Sequence, residues 1–162
     1  DWSSDVCSSD LSQWAEKGDG IKHKLVKLVD ADTMAFNGIM DAFGLPKGTD
    51  EEKKIRTNAI QAATRVAIEI PLQVMETAYS GFEVIRAMAE TGNPNSVSDA
   101  GVGALCARAA VLGAFLNVKI NAVGYEDAAF VKSVMAKGQK WADQAIEAEK
   151  EILAVVENKI KG

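Results

Sequence analysis

From Ala100 to Val123 the sequence AGVGALCARAAVLGAFLNVKINAV carries only two charged side chains, Arg108 and Lys119. At helical spacing such a run is apolar nearly all round, and a helix of that kind is either buried or membrane-spanning. Arg108 at its middle and its richness in Gly and Ala argue against a span. The stretch is therefore expected to be the buried central helix of a bundle, with small side chains letting its neighbours approach closely. Ser96 or Ser98 supplies its cap, Asp99 lies in its first turn, and Gly124 stops it.

The flanking patterns are helical too. Ile21, Leu25, Leu28, Val29, Phe36, Ile39, Met40 and Phe43 predict one long amphipathic helix that ends at Gly44, with Pro46 just beyond. Thr49 and Glu52 form the T-x-x-E of a capping box, and a helical pattern runs from there to Thr91 before Gly92 and Asn93-Pro94-Asn95 break it. Uninterrupted, that helix would be ~63 Å long at 1.5 Å per residue, far beyond a domain whose radius of gyration is about 15 Å. Pro71 lacks the amide proton and clashes with the preceding turn, so a break is expected near Glu69 and Ile70. The last pattern runs from Asp127 to about Ile160. No stretch alternates like a strand. The fold class is all-α, a helical bundle of about five segments around a buried central helix.

The first eleven residues, DWSSDVCSSDL, show neither a strand nor a helix period. They are also one frame of a common short-read sequencing adapter, so we assign 1–11 to a disordered artefact and 12–162 to the natural domain, N-terminally truncated. The chain's formal net charge of −5 includes Asp1, Asp5 and Asp10, so residues 12–162 carry −2. With no basic excess to neutralise phosphates, nucleic acid is not expected as a partner. Cys106 is the one cysteine outside the adapter segment, which excludes a disulfide framework and a thiolate metal site and points to a reducing, cytoplasmic location. His23 is the only histidine. It weakens any serine-histidine triad, excludes a site with several histidine ligands, and reads as a surface residue between Lys22 and Lys24.

Some polar residues stand out on faces that should be dry. Asp30 and Asp32 sit in the first long helix, about 200° apart, so one can face a cavity while the other faces water. Along the central helix, steps of four and three from Asp99 lead through Gly103, Cys106, Ala110 and Gly113 to Asn117 and Asn121. Capping by Ser96, with Asp99 completing an S-x-x-D box, would account for the acid. It leaves the two amides unexplained, and buried amides need partners, in an interhelical network or a ligand groove. Glu76, just after Pro71, is a further candidate, as is an ordinary exposed role for it.

DADTMAFNGIMDAFGLPKGTDEEK, then Arg56, RVAIEIPLQVMETA, GNPNSVSDAGVGA and GAFLNVKIN, in this order and at these spacings, resemble the cyclodeaminase domain of formiminotransferase-cyclodeaminase. The same family includes bacterial methenyltetrahydrofolate cyclohydrolases. The resemblance covers nearly all of Ser12 to Gly162, and its specificity lies in the ordered set. It implies an all-α, homodimeric, folate-using enzyme of one-carbon metabolism and histidine degradation, a lyase or hydrolase that binds no metal or cofactor and takes a tetrahydrofolate derivative as substrate. Family members begin with a glycine-rich P-G-G-G-S type turn before their first helix, which this chain lacks.

The implied reaction is cyclodeamination of formiminotetrahydrofolate to methenyltetrahydrofolate with release of ammonia; the alternative is methenyltetrahydrofolate cyclohydrolase. Each needs two proton transfers, which carboxylates can mediate. On this reading Asp99 and Asp32 are the catalytic carboxylates, while Asn93, Ser98, Asn117, Asn121 and Glu76 contact substrate. No membrane partner is implied. The rival from another class is a non-catalytic helical interaction module whose polar stripes fix helix register.

Overall fold

The computed structural model describes residues 9–161 and is all-α: among the described residues there is no strand. Four α-helices follow one another, α1 (Ser9–Gly44), α2 (Asp50–Thr91), α3 (Val97–Asn121) and α4 (Ala128–Lys161), with a single 3₁₀ turn at Pro94–Ser96 leading into α3. α2, α3 and α4 pack on one another, while α1 lies along α2. The inner side of α3 is buried through Ala100, Ala104, Val111, Ala114, Phe115 and Val118 between α2 and α4.

Two expectations about element boundaries are corrected. α1 begins at Ser9 rather than near Ile21, because Leu11, Trp14 and Gly18 extend the half-buried stripe of Ile21 and Leu25 by steps of three and four. Lys17 adds an ion pair to Glu83 of α2. The segment 9–11, assigned to the adapter, is thus helical with Leu11 half-buried; residues 1–8, with Trp2 and Cys7, lie outside the described residues.

The second correction concerns Pro71. α2 runs through it unbroken for 42 residues, so among the described residues four α-helices and one short turn replace five segments. Pro71 cannot donate to the carbonyl of Ala67, four residues before it. Asn121, at the end of α3, donates its side-chain amide to that carbonyl at 2.7 Å. The vacancy in the helical ladder is filled from the neighbouring helix, and Pro71 itself is buried. The length problem is met by α1, which runs along α2 from Lys17 at Glu83 to Phe43 at Arg56, and by α3, which reaches Ala67.

The ends of the helices are secured as their sequences suggest. Thr49 Oγ1 accepts from the Glu52 amide at 3.2 Å and Glu52 Oε2 accepts from the Thr49 amide at 2.9 Å, the expected capping box. Arg56 reaches back from α2 to donate Nε and Nη2 to the Phe43 carbonyl at 3.4 and 3.3 Å, closing the last turn of α1 with a cation. Arg108 pairs with Glu149, so the one charge in the middle of α3 is held against α4. His23 is exposed and lies beside Asp19 of its own helix.

At the α3–α4 crossing Gly138 is buried against Phe115, and a Cβ there would lie 2.4 Å from the ring. Gly138→Ala should therefore force the ring to move and destabilise the protein by about 1–3 kcal/mol in urea unfolding. A double-mutant cycle reads the Pro71 vacancy. Asn121→Ala should cost about 1–3 kcal/mol by leaving the Ala67 carbonyl unpaired. In a Pro71→Ala background, where a backbone amide returns to that carbonyl, the same change should cost measurably less.

Candidate active-site groove

Gly92 ends α2 by donating its amide to Met88 O at 3.0 Å, and a Cβ on it would sit 2.4 Å from that same oxygen. Asn93 follows and accepts from the Asn95 amide through its side-chain oxygen at 3.0 Å, closing the 3₁₀ turn in which Pro94 is the first residue. That side chain keeps its NH2 for another partner. The turn delivers Ser96 and Asp99 to the head of α3.

Asn93, Ser96 and Asp99 line a cavity of about 420 Å³ with Val84, Ile85, Met88, Gly92, Ala100 and Gly103. The expected S-x-x-D box is absent: Ser96 is the N-cap residue of α3 but its hydroxyl makes no capping hydrogen bond. Among the described residues Asp99 makes no ion pair either, so its carboxylate is uncommitted at the edge of an apolar pocket.

This cavity continues, through the shared Val84 and Ile85, into a second of about 340 Å³ whose walls are Gly18, Ile21 and Leu25 of α1 and Cys106, Ala107 and Ala110 of α3. α1 and α3 are thus two walls over a floor of α2. Small residues at 103, 106 and 110 are the stripe legible in the sequence, and they keep the α3 wall low.

The registers of the helices locate the remaining candidates. Lys17 meets Glu83 and Arg56 meets Phe43, so α1 runs antiparallel to α2 with Asp32 opposite about Ile68. Gly103 faces Ile85 and Asn121 meets Ala67, so α3 runs antiparallel on the other side with Asn117 opposite about Pro71. Asp32 continues the wall stripe of Ile21 and Leu25, one heptad beyond the latter, and is exposed. Asn117, also exposed, continues that of Cys106 and Ala110. Asp32, Asn117 and Asn121 therefore gather at the Pro71 end of the groove, and Asn93 and Asp99 at the other. About twenty residues of α2 separate the two groups, roughly 30 Å.

Ser98 is exposed on the first turn of α3 and does not line the cavity. Asn121 is half-buried with its amide already engaged by Ala67. Glu76 lies on the opposite face of α2, in a groove against α4. Gly92 and Met88, which shape the cavity, escaped the sequence reading; a glycine immediately before Asn-Pro was the available signal, taken there only as a stop.

The family model described as Formiminotransferase-cyclodeaminase matches residues 3–140. The chain is 36% identical over 152 residues to a methenyltetrahydrofolate cyclohydrolase of Methylorubrum extorquens, covering 94% of this chain and 73% of that protein. It is 33% identical over 136 residues to the formimidoyltransferase-cyclodeaminase of Gallus gallus, covering 84% of this chain but 25% of that protein. In three dimensions it is similar to the formiminotetrahydrofolate cyclodeaminase of Thermotoga maritima, with a TM-score of 0.74 at 23% identity, covering 88% of this chain and 67% of that one.

Proposed function

The chain belongs to the formiminotransferase-cyclodeaminase family, and on that premise we propose that it is a folate one-carbon enzyme that forms methenyltetrahydrofolate from formiminotetrahydrofolate, releasing ammonia. The observation that carries this reading is the Asp99 carboxylate, exposed and without an ion-pair partner among the described residues, which lines a largely apolar cavity together with Asn93.

In cyclodeamination the anilino nitrogen of the folate attacks the amidine carbon and loses a proton. The amidine nitrogen gains protons and departs as ammonia, leaving the methenyl bridge. A carboxylate that accepts the first proton can return it to the leaving nitrogen, so Asp99 can serve both transfers if the two nitrogens pass within hydrogen-bond reach, each transfer contributing about 10² to 10⁴ in rate. The free NH2 of the Asn93 side chain can donate to a carbonyl or ring nitrogen of the substrate. Val84, Ile85 and Met88 offer an apolar wall to a planar pterin.

A second reading has its own support. The relative from Methylorubrum, of which the chain covers 73%, is a cyclohydrolase. There water replaces the anilino nitrogen as nucleophile, adding to the methenyl carbon before the ring opens to formyltetrahydrofolate. Both reactions pass through a tetrahedral carbon, and one carboxylate serves either.

We further propose that the working form is a homodimer. Val26, Val29, Phe36, Met40 and Phe43 are each at least half exposed and recur along α1 in steps of three and four, with Thr33 between, a second apolar stripe that the described residues of one subunit leave uncovered. Leu116 and Ile120 on α3 are similarly exposed. Closed two-fold association is the common fate of such surfaces. A two-fold axis across the helices would also bring the Asp99 end of one groove to the Asp32 and Asn117 end of its partner, which gives both sets of polar residues a place in one site.

Asp99→Asn should lower turnover by roughly 10²-fold or more while folate binding stays nearly unchanged, because an amide keeps the shape and loses the base. Absorbance of the methenyl compound, at matched folded concentrations, measures it. Unchanged turnover would return Asp99 to a structural role. Phe36→Asp should shift the protein from dimer to monomer in sedimentation, and a wild type that sediments as a monomer at micromolar concentration would remove the dimer.

A further inference from the structure

On the face of α2 turned away from the groove, Leu72, Gln73 and Glu76 meet Lys137, Lys140 and Trp141 of α4 around a cavity of about 380 Å³. Spacings of one and four on α2, and of three and four on α4, put each trio on one side of its helix. Three charges surround this space, yet among the described residues none of them makes an ion pair. Arg65 binds Glu69 two turns before Glu76, and Lys150 and Lys161 bind Glu147 and Glu157 farther along α4, whereas the three exposed charges around this cavity are left to solvent. Lys137 and Lys140, one turn apart, repel each other, and Glu76 across the cavity does not close on either.

We propose that this cavity is a binding site for an acidic α-amino acid, glutamate or aspartate. The charge pattern selects the class. Two ammonium groups and one carboxylate are the complement of two carboxylates and one ammonium. A simple anion would be drawn by the lysines but repelled by Glu76, and a cation the reverse. A ligand that carries both signs satisfies all three. Leu72 and the half-buried Trp141 flank the charges with apolar surface for the methylene stem, and the Gln73 amide can donate or accept. Glu76 was singled out in the sequence as a substrate contact; its position assigns it to this second ligand, on a different face from Asp99, so the inference is independent of the proposed folate chemistry.

Each contact is partly open to water, which sets the affinity near the millimolar range, on the order of 1 mM. The test is titration of the ¹⁵N-labelled chain with L-glutamate at fixed ionic strength, following the Trp141 indole N–H resonance assigned with Trp141→Phe. A saturable shift is expected, together with binding of glutarate, which lacks the ammonium, weakened about fivefold or more. Glu76→Gln should erase that preference, and Lys140→Glu should abolish the shift for both; all these side chains are at the surface, and a thermal melt verifies that the variants stay folded. Glutarate binding as well as glutamate, an equal shift with sodium chloride, or a shift that survives Lys140→Glu would each overturn the proposal.

Discussion

The side-chain amide of Asn121 on the Ala67 carbonyl holds together features that would otherwise conflict. Pro71 removes one rung from a 42-residue helix, and a buried carbonyl without a partner costs about 1–3 kcal/mol. A neighbouring helix that supplies the missing donor turns that liability into a fixed register, because the amide has one carbonyl to find. Gly103 against Ile85 lies on the same register eighteen residues earlier on α3. One polar contact near the far end of α3 thus agrees with the packing near its start, and the wall of the groove runs parallel to its floor throughout.

α2 is the element every other helix depends on. α1 packs on one flank, α3 on the next and α4 on a third; one groove forms over α2 between α1 and α3, and another along the line where α2 and α4 meet. Between α1 and α3 the walls are low because the side chains are Gly, Ala and Cys, and the result is an open channel. Between α2 and α4 the walls are long charged side chains around Trp141. The chemical difference between the two grooves is a difference of side-chain length and charge on the same helix.

Much of this was legible one element at a time. The T-x-x-E box at Thr49, the stop at Gly44 and the break at Gly92 are local signals, and local physics decides them. The apolar run after Asp99 announced a helix with more apolar surface than one face needs; it packs on α2 and α4, and Val102, Leu116 and Ile120 stay exposed. Pro71 was misread because a proline within a helix is penalised by its own chain, whereas the compensation comes from a residue fifty positions away. Asn121 was noticed as an amide in need of a partner, and Pro71 as the source of an unpaired carbonyl. Joining them requires the α2–α3 register, which periodicity does not contain. The start of α1 lies earlier than the apolar pattern from Ile21 implies, because Leu11, Trp14 and Gly18 continue its half-buried stripe among otherwise polar residues. For the site, the stripe from Asp99 through Ala110 was read correctly as one face of a helix, but whether Asp99 caps that helix depends on the Ser96 hydroxyl, whose direction no spacing encodes.

The 30 Å between the two polar ends limits what either can do. Reacting atoms must come within about 3–3.5 Å of each other and of the group that moves the proton. Asp99 and Asp32 of one subunit therefore cannot act on the same carbon, and a reading that assigns both to catalysis needs either a second copy or a division of labour. In the first case the apolar stripe on α1 and the separation of the polar ends have a common explanation, since the association that covers the one brings together the other. In the second, Asp99 alone does proton chemistry and the Asp32 end holds a remote part of the substrate, where its charge would affect binding rather than turnover. The two cases differ in a measurable way: mixing an Asp99 variant with an Asp32 variant restores activity only if each site is built from both subunits, because a heterodimer then contains one intact site.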